Sequence, residues 1–263
     1  MSGYATIEAV REGGWLTIWF NQPERRNPLS GELVAETLNA LESVREDRSI
    51  RGIVFRGRGK VFSAGGDLKQ FLAYNATAER EPVKAVSREI ATLLDAVANQ
   101  PQVTVAAVHG AAVAGGLGLV CACDYVIAEA GTKFALTETA IGLTPAQIAP
   151  FVINRVGMRD ARRLMLTASR FGTEEGTVIG LVDEVADGDM DARLERLFEQ
   201  VRTAAPGAIA NLKALLRELP GRSRPEQVEL AADSFTDALL SEEAREGVES
   251  FFEKRKPRWT EDT

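Results

Sequence analysis

Residues Val103–Asp124 read VTVAAVHGAAVAGGLGLVCACD, with no charged side chain between Pro101 and Asp124. The first part, VTVAAV, is short, apolar and rich in β-branched residues, which predicts a buried strand. The last part, LGLVCAC, predicts a buried helix. Gly110, Gly115 and Gly116 lie between them. A helix that starts at or near Gly115 aims unpaired backbone N–H groups at whatever lies ahead of it. Glycine there allows close approach, because no Cβ stands between the amide and a ligand. Such a junction suits an oxygen atom that develops negative charge. Two plainer readings exist. The run is long enough to span a membrane, but four glycines and a histidine interrupt it. A strand–turn–helix without chemistry would also need close-packed glycines.

A second junction weighs on the choice. RGRGKVFSAGGDLKQF follows the short strand Gly52–Phe55, and its Gly65-Gly66 pair precedes Asp67, which can cap a helix from Leu68. If the two junctions face each other, two amides from distant loops grip one carbonyl oxygen, the geometry of an oxyanion hole.

Around these junctions, Tyr4–Val10 and Trp15–Phe20 alternate about Gly13-Gly14 and predict a hairpin. In the loop NQPERRNPLS, Arg25 and Arg26 are either solvated or phosphate contacts, arginine being suited to grip two oxygens. Ser30 caps a helix expected to reach about Glu46. Ala73–Glu81 reads as a mobile loop, and Glu81–Ala98 as an amphipathic helix. Strands follow at Tyr125–Ala128 and Lys133–Leu136. Thr137-Glu138-Thr139 opens a helical turn that ends at Gly142. Helices are expected over Gln147–Val156 and Arg159–Ala168, a last strand over Val182–Val185, and four helices from Asp191 to Lys254. Strand-rich first and helix-rich last, the pattern is an α/β domain followed by a helical region.

Composition narrows the function. The 263 residues carry a net charge of −7, which argues against a general nucleic-acid binder. The two cysteines, Cys121 and Cys123, read as free core thiols. His109 is the single histidine, so neither a histidine-rich metal site nor a Ser-His-Asp triad finds support, and no metal is expected. The N-terminal MSGYATIEAV shows no signal-peptide pattern, so a reducing cytoplasm is the expected compartment, with no membrane association.

The motifs NQPERRNPLS, VFSAGGDLKQF, HGAAVAGGLGLVCACDYVIA, FALTETAIGLTP and FFEKRKPRW, in this order, resemble the enoyl-CoA hydratase/isomerase (crotonase) superfamily over nearly the whole chain. The resemblance implies an α/β fold, a spiral of ββα units over residues 1–195, with a helical trimerisation region over 196–263. It implies a homotrimer or a dimer of trimers. It places the oxyanion donors at the N–H groups of Gly66 and Gly115, binding the thioester carbonyl of an acyl-CoA. Adenine would lie near Ala64 and the Asp67–Leu68 turn. Arg25 and Arg26, with Lys254 and Lys256, would meet CoA phosphates. No separate cofactor is implied, since CoA arrives with the substrate.

Hydratases of this family typically carry two glutamates. One maps onto Glu138; the other maps onto Gly118 and is missing here. One carboxylate suits a 1,3-proton shift, which favours a Δ3-Δ2-enoyl-CoA isomerase. The surrounding residues look most like hydratases of methylglutaconyl- and isohexenylglutaconyl-CoA, which favours hydration of a branched or carboxylated 2-enoyl-CoA. A non-catalytic CoA-binding protein of the same fold is a third possibility.

Overall fold

The computed structural model describes residues 3–77 and 79–260; Met1, Ser2, Ala78 and residues 261–263 lie outside them, and with them parts of the N-terminal and 73–81 readings. The chain opens on a hairpin of β1 (Ile7–Glu12) and β2 (Trp15–Phe20), in register from Ile7↔Phe20 to Glu12↔Trp15. Gly13 and Gly14 turn it, both at positive φ. Next come β3 (Pro28–Leu29), α1 (Gly31–Glu42) and β4 (Gly52–Gly57). Ser30 caps α1 by accepting from the Leu33 N–H. The helix stops four residues before the expected Glu46, where the Ser43 hydroxyl donates back to the Ala40 carbonyl at 2.7 Å.

β5 (Gly65–Gly66), α2 (Leu68–Thr77) and α3 (Arg80–Ala98) follow. The segment read as a loop from Ala73 is thus helical to Thr77. Its residues have no helix breaker, but α2 buries no residue, so no core-facing period marks it in the sequence.

The organising stretch then forms β6 (Val103–Val108), β7 (Ala111–Val113) and α4 (Gly115–Ala122). It leads to β8 (Tyr125–Glu129), β9 (Lys133–Ala135), a 3-10 turn over Glu138–Ile141 and α5 (Ala149–Leu166). Gly157, at φ 76 and ψ 160, breaks α5 between the two expected helices. β10 (Arg170–Gly172) and α6 (Thr173–Val178) were not legible; β11 (Glu184–Ala186) lies two residues later than expected at its start. Helices α7 (Met190–Thr203), α8 (Pro206–Glu218), α9 (Arg224–Leu239) and α10 (Glu242–Glu253) end the chain. No described helix is long and apolar enough to cross a membrane.

The large sheet runs β1-β2-β4-β6-β8-β11, parallel from β2 onward. From β2 onward the chain inserts short strands and helical structure between successive strands of this sheet. The short strands pair among themselves, β3 with β5, and β9 with both β7 and β10. This is the ββα repeat. β6 is buried along nearly its whole length, which explains its unbroken apolar run. One side of the sheet packs Phe20, Phe55, Phe62, Leu117 and Phe134. The other packs Trp15, Val54, Val105 and Ile127 beneath α7, where Phe198 stacks on Trp15 with centroids 3.7 Å apart. α7 crosses the 195–196 boundary and covers β6 and β8. Cys121 and Cys123 are free and buried, and burial pushes the Cys121 thiol up to about 12.

A buried carboxylate fastens the end of the chain. Glu246, 5 % exposed, accepts from Arg255 Nη1 at 2.5 Å, from the Arg258 N–H at 2.9 Å and from Arg258 Nε at 3.0 Å. These bonds, that of Arg255 first, hold its carboxyl at about 2 against an ordinary 4.5. A depressed carboxylate stabilises the fold above its unfolded value and stops doing so as pH falls through its folded value. Glu246→Gln should therefore lower Tm at pH 7. The gap to the wild type should close between about pH 5 and 2, as read by thermal melts across that range.

Candidate active site

The two glycine junctions meet because their strands pair. Ser63 bridges to Ala112: its N–H donates to the Ala111 carbonyl at 3.2 Å, and the Val113 N–H donates to its carbonyl at 3.0 Å. The Ser63 hydroxyl donates to the Asn27 carbonyl at 2.7 Å and accepts from the Gly65 N–H at 3.2 Å. Asn27, wholly buried, clamps the same loop from beneath. Its amide donates to the carbonyls of Arg58, Val61 and Phe62, and its oxygen accepts from the Gln22 N–H. The sequence reading missed this role, for which the second asparagine of NQPERRNPLS was the available signal.

The approach is close enough to require glycine. A Cβ on Gly65, at φ 89, would lie 2.6 Å from the Val113 carbonyl oxygen and 3.3 Å from Gly115 N. A Cβ on Gly116 would lie 2.7 Å from Ser63 Cβ, and one on Gly115 would lie 4.0 Å from Gly66 N. Gly66 and Gly115, 49 positions apart in the sequence, therefore share one corner of the molecule. Gly115 is the first residue of α4, so its N–H has no acceptor within the helix. Ala114, which precedes it, is held at φ 50 and ψ −122, a strained conformation for a residue with a side chain. Its N–H donates to the Ala135 carbonyl at 2.8 Å, which anchors that turn to β9.

Gly66, Ala114 and Gly115 border a cavity of about 390 Å³. Its far walls are α2 with Phe71 and Tyr74, α3 with Val83, Val86, Ser87 and Ile90, and the loop Leu143–Ile148. Glu138 also borders it. The 3-10 turn presents this side chain, fixed by Gly142 in the left-handed region and by the Thr139 hydroxyl, which donates to the Met165 carbonyl at 2.8 Å. Glu138 Oε2 is buried with no hydrogen-bond partner among the described residues. Burial raises its pKa above the ordinary glutamate value. No Lys, Arg or His borders the cavity among the described residues.

The space at Gly118, where the resemblance maps a second glutamate, is closed. A Cβ on Gly118 would lie 2.7 Å from Ile148 Cβ and collide with its Cγ2. Ile148, itself buried, sits just ahead of α5 and fills that space.

The remaining candidates lie outside the cavity lining. Asp67 Oδ1 accepts from the Lys69 N–H at 3.1 Å, capping the start of α2, while its other oxygen pairs with Arg25 Nη2 at 2.5 Å. Arg25 thus already has an anionic partner. Arg26, at φ 63, is exposed and accepts the Ala64 N–H on its carbonyl at 2.9 Å, so that amide is engaged. Leu68 is exposed. Lys254 ends α10 in the left-handed conformation, and Lys256 follows in the exposed segment held by Glu246. His109 Nε2 bonds to the Gly59 carbonyl at 2.9 Å, away from the cavity lining.

Known proteins resemble this chain in sequence and fold. The family model for enoyl-CoA hydratase/isomerase matches residues 11–262. The chain is 40% identical to Pseudomonas aeruginosa AtuE, covering 97% of this chain and 99% of that one, with a TM-score of 0.93. An enoyl-CoA hydratase/isomerase from Marinobacter aquaeolei is 35% identical over 97% and 99% of the two chains, with a TM-score of 0.91. Enoyl-CoA hydratase AKT6-1 of Alternaria alternata is 32% identical over 96% of this chain and 83% of its own. With a ββα spiral built around paired glycine turns, the chain belongs to the enoyl-CoA hydratase/isomerase family.

Proposed function

We propose that the cavity hydrates a branched 2-enoyl-CoA, a CoA-thioester lyase reaction. The observation that carries this reading is one carboxylate, Glu138, without a partner in a cavity edged by Gly66 and Gly115. In the reading, the thioester oxygen sits between the two N–H groups, which stabilise the enolate formed when water adds at Cβ. A lost donor in such a hole typically costs about 3–4 kcal/mol of barrier. Glu138 takes the water's proton and delivers it to Cα. Burial suits it to that exchange, because a raised pKa makes the carboxylate a better proton acceptor.

The expected substrate was branched or carboxylated. The lining favours the uncharged form: a carboxylated chain would bring its anion into a cavity with no bordering cation among the described residues and with Glu138 already there. CoA enters with the substrate, and the reading needs no separate cofactor. Arg26, and Arg25 on exchanging Asp67, serve CoA phosphates; Lys254 and Lys256 reach them from the same or a neighbouring subunit. The exposed Phe235, Leu239, Phe251 and Phe252 of α9 and α10 support self-association as a homotrimer or dimer of trimers. The reading sets the reaction in the cytoplasm.

A Δ3-Δ2-enoyl-CoA isomerase is the second reading. It is favoured by the closed space at Gly118, since one carboxylate suffices to take a proton at one carbon and return it at another.

Glu138→Gln should lower turnover about 10³-fold while acyl-CoA binding persists, as measured by steady-state kinetics and calorimetry. Unchanged turnover would remove Glu138 from the mechanism. In the wild type, kcat/KM should fall on the acid side with a midpoint above 4.5, because the raised carboxyl must be ionised to accept a proton. Crotonyl-CoA, 3-methylcrotonyl-CoA and 3-methylglutaconyl-CoA compared side by side should rank the uncharged branched thioester first. Preference for the glutaconyl thioester would overturn the uncharged assignment, and a 3-enoyl-CoA isomerised faster than any of these is hydrated would favour the second reading.

A further inference from the structure

Hydration needs the attacking water held as well as deprotonated, and the closed space at Gly118 leaves no room there for a second carboxylate to hold it. We propose that Gln147 holds that water, an assignment that rests on the hydratase reading. Gln147 borders the cavity directly beside Ile148, the residue that fills the space at Gly118. Its Nε2 donates to the Ser87 hydroxyl of α3 at 2.8 Å, and both side chains are half-buried. That bond fixes the amide plane across the cavity wall. The carbonyl Oε1 has no donor among the described residues, so it is left to accept from a water in the cavity.

The other polar side chains on the wall are less suited. Tyr74 already accepts from Gln70 at 3.2 Å, and Asn75 and Thr144 are exposed. Glu138 borders the same cavity. In this assignment a water between Gln147 Oε1 and the Glu138 carboxylate donates one O–H to each acceptor and keeps a lone pair for the thioester's Cβ.

The division of labour follows from acid–base chemistry. A carboxamide oxygen accepts a hydrogen bond but takes up no proton near neutral pH. Gln147 therefore only orients the water, and Glu138 handles the proton alone. As the O–Cβ bond forms, the alkene electron pair moves to the thioester oxygen. The O–H bond facing Glu138 breaks, and the proton passes to its carboxylate. The enolate then collapses, its electron pair forms the Cα–H bond with that same proton, and the carboxylate is regenerated.

The test separates water-holding from enolate chemistry. Hydration of 3-methylcrotonyl-CoA is measured beside deuterium exchange at Cα of 3-methylbutyryl-CoA, which needs the N–H pair and Glu138 but no held water. Gln147→Leu should lower hydration kcat about tenfold to a hundredfold, leave KM near the wild-type value and leave exchange within about threefold. Gln147→Glu, which restores an acceptor, should recover hydration and add a second acid limb to its pH profile. Ser87→Ala, which loosens the amide, should give a smaller loss than Gln147→Leu.

Hydration that falls less than threefold in Gln147→Leu, or exchange that falls in parallel with it, would overturn the assignment. A wild-type protein that exchanges the Cα proton yet hydrates none of the enoyl-CoAs would overturn the hydratase reading, and the role of Gln147 with it. Wild-type hydration unaffected by Gln147→Leu would overturn the Gln147 assignment alone.

Discussion

Backbone pairing between Ser63 and Ala112 is the constraint on which the site depends. It brings two turns from different ββα units so close that a Cβ on Gly65 would strike the Val113 carbonyl, and one on Gly116 would strike Ser63. Once those strands are joined, the N–H of Gly115 and the turn at Gly66 face one small volume, whatever the acyl chain. The large parallel sheet fixes the positions of the strand ends. The short strands fix the angle at which each helix leaves. Ala114 absorbs the local strain, and the N–H to Ala135 holds it there.

Electrostatics of the cavity follow from the same enclosure. Glu138 is presented by a short turn rather than a long helix, and nothing charged stands near it on the cavity wall among the described residues. Desolvation is then the leading influence on its proton affinity. An ion pair would have fixed the group as a permanent anion; an empty setting leaves it able to cycle. Asp67 shows the contrast, since it caps α2 and holds Arg25 outside the lining.

Much of this was legible in the chain itself. The glycine pairs at the ends of apolar strands, and Glu138 before Thr139-Ala140-Ile141-Gly142, are local patterns, and each has a local physical cause. What stayed hidden depends on contacts between remote segments. Asn27 is an ordinary loop residue until the carbonyls of Arg58, Val61 and Phe62 surround its amide. Ser87 and Gln147 are 60 positions apart and meet only across the cavity. α2 escaped because Phe71 and Tyr74 face a cavity instead of the core, so its apolar residues set no helical period. The short β10 and the four-residue overrun of α1 show the usual difficulty of placing boundaries when a side chain such as Ser43 competes for a helix carbonyl.

The contact between Gly118 and Ile148 also constrains how this protein can change over evolutionary time. Growth of a side chain at 118 is blocked until position 148 shrinks, and shrinkage at 148 alone leaves a void beside a buried helix. The two positions are thus coupled, and the order of mutation matters: 148 must change first, at a transient loss in packing, before any acid can enter at 118. A chain with isoleucine at 148 is thus separated from one with an acid at 118 by two coupled substitutions rather than by a single one.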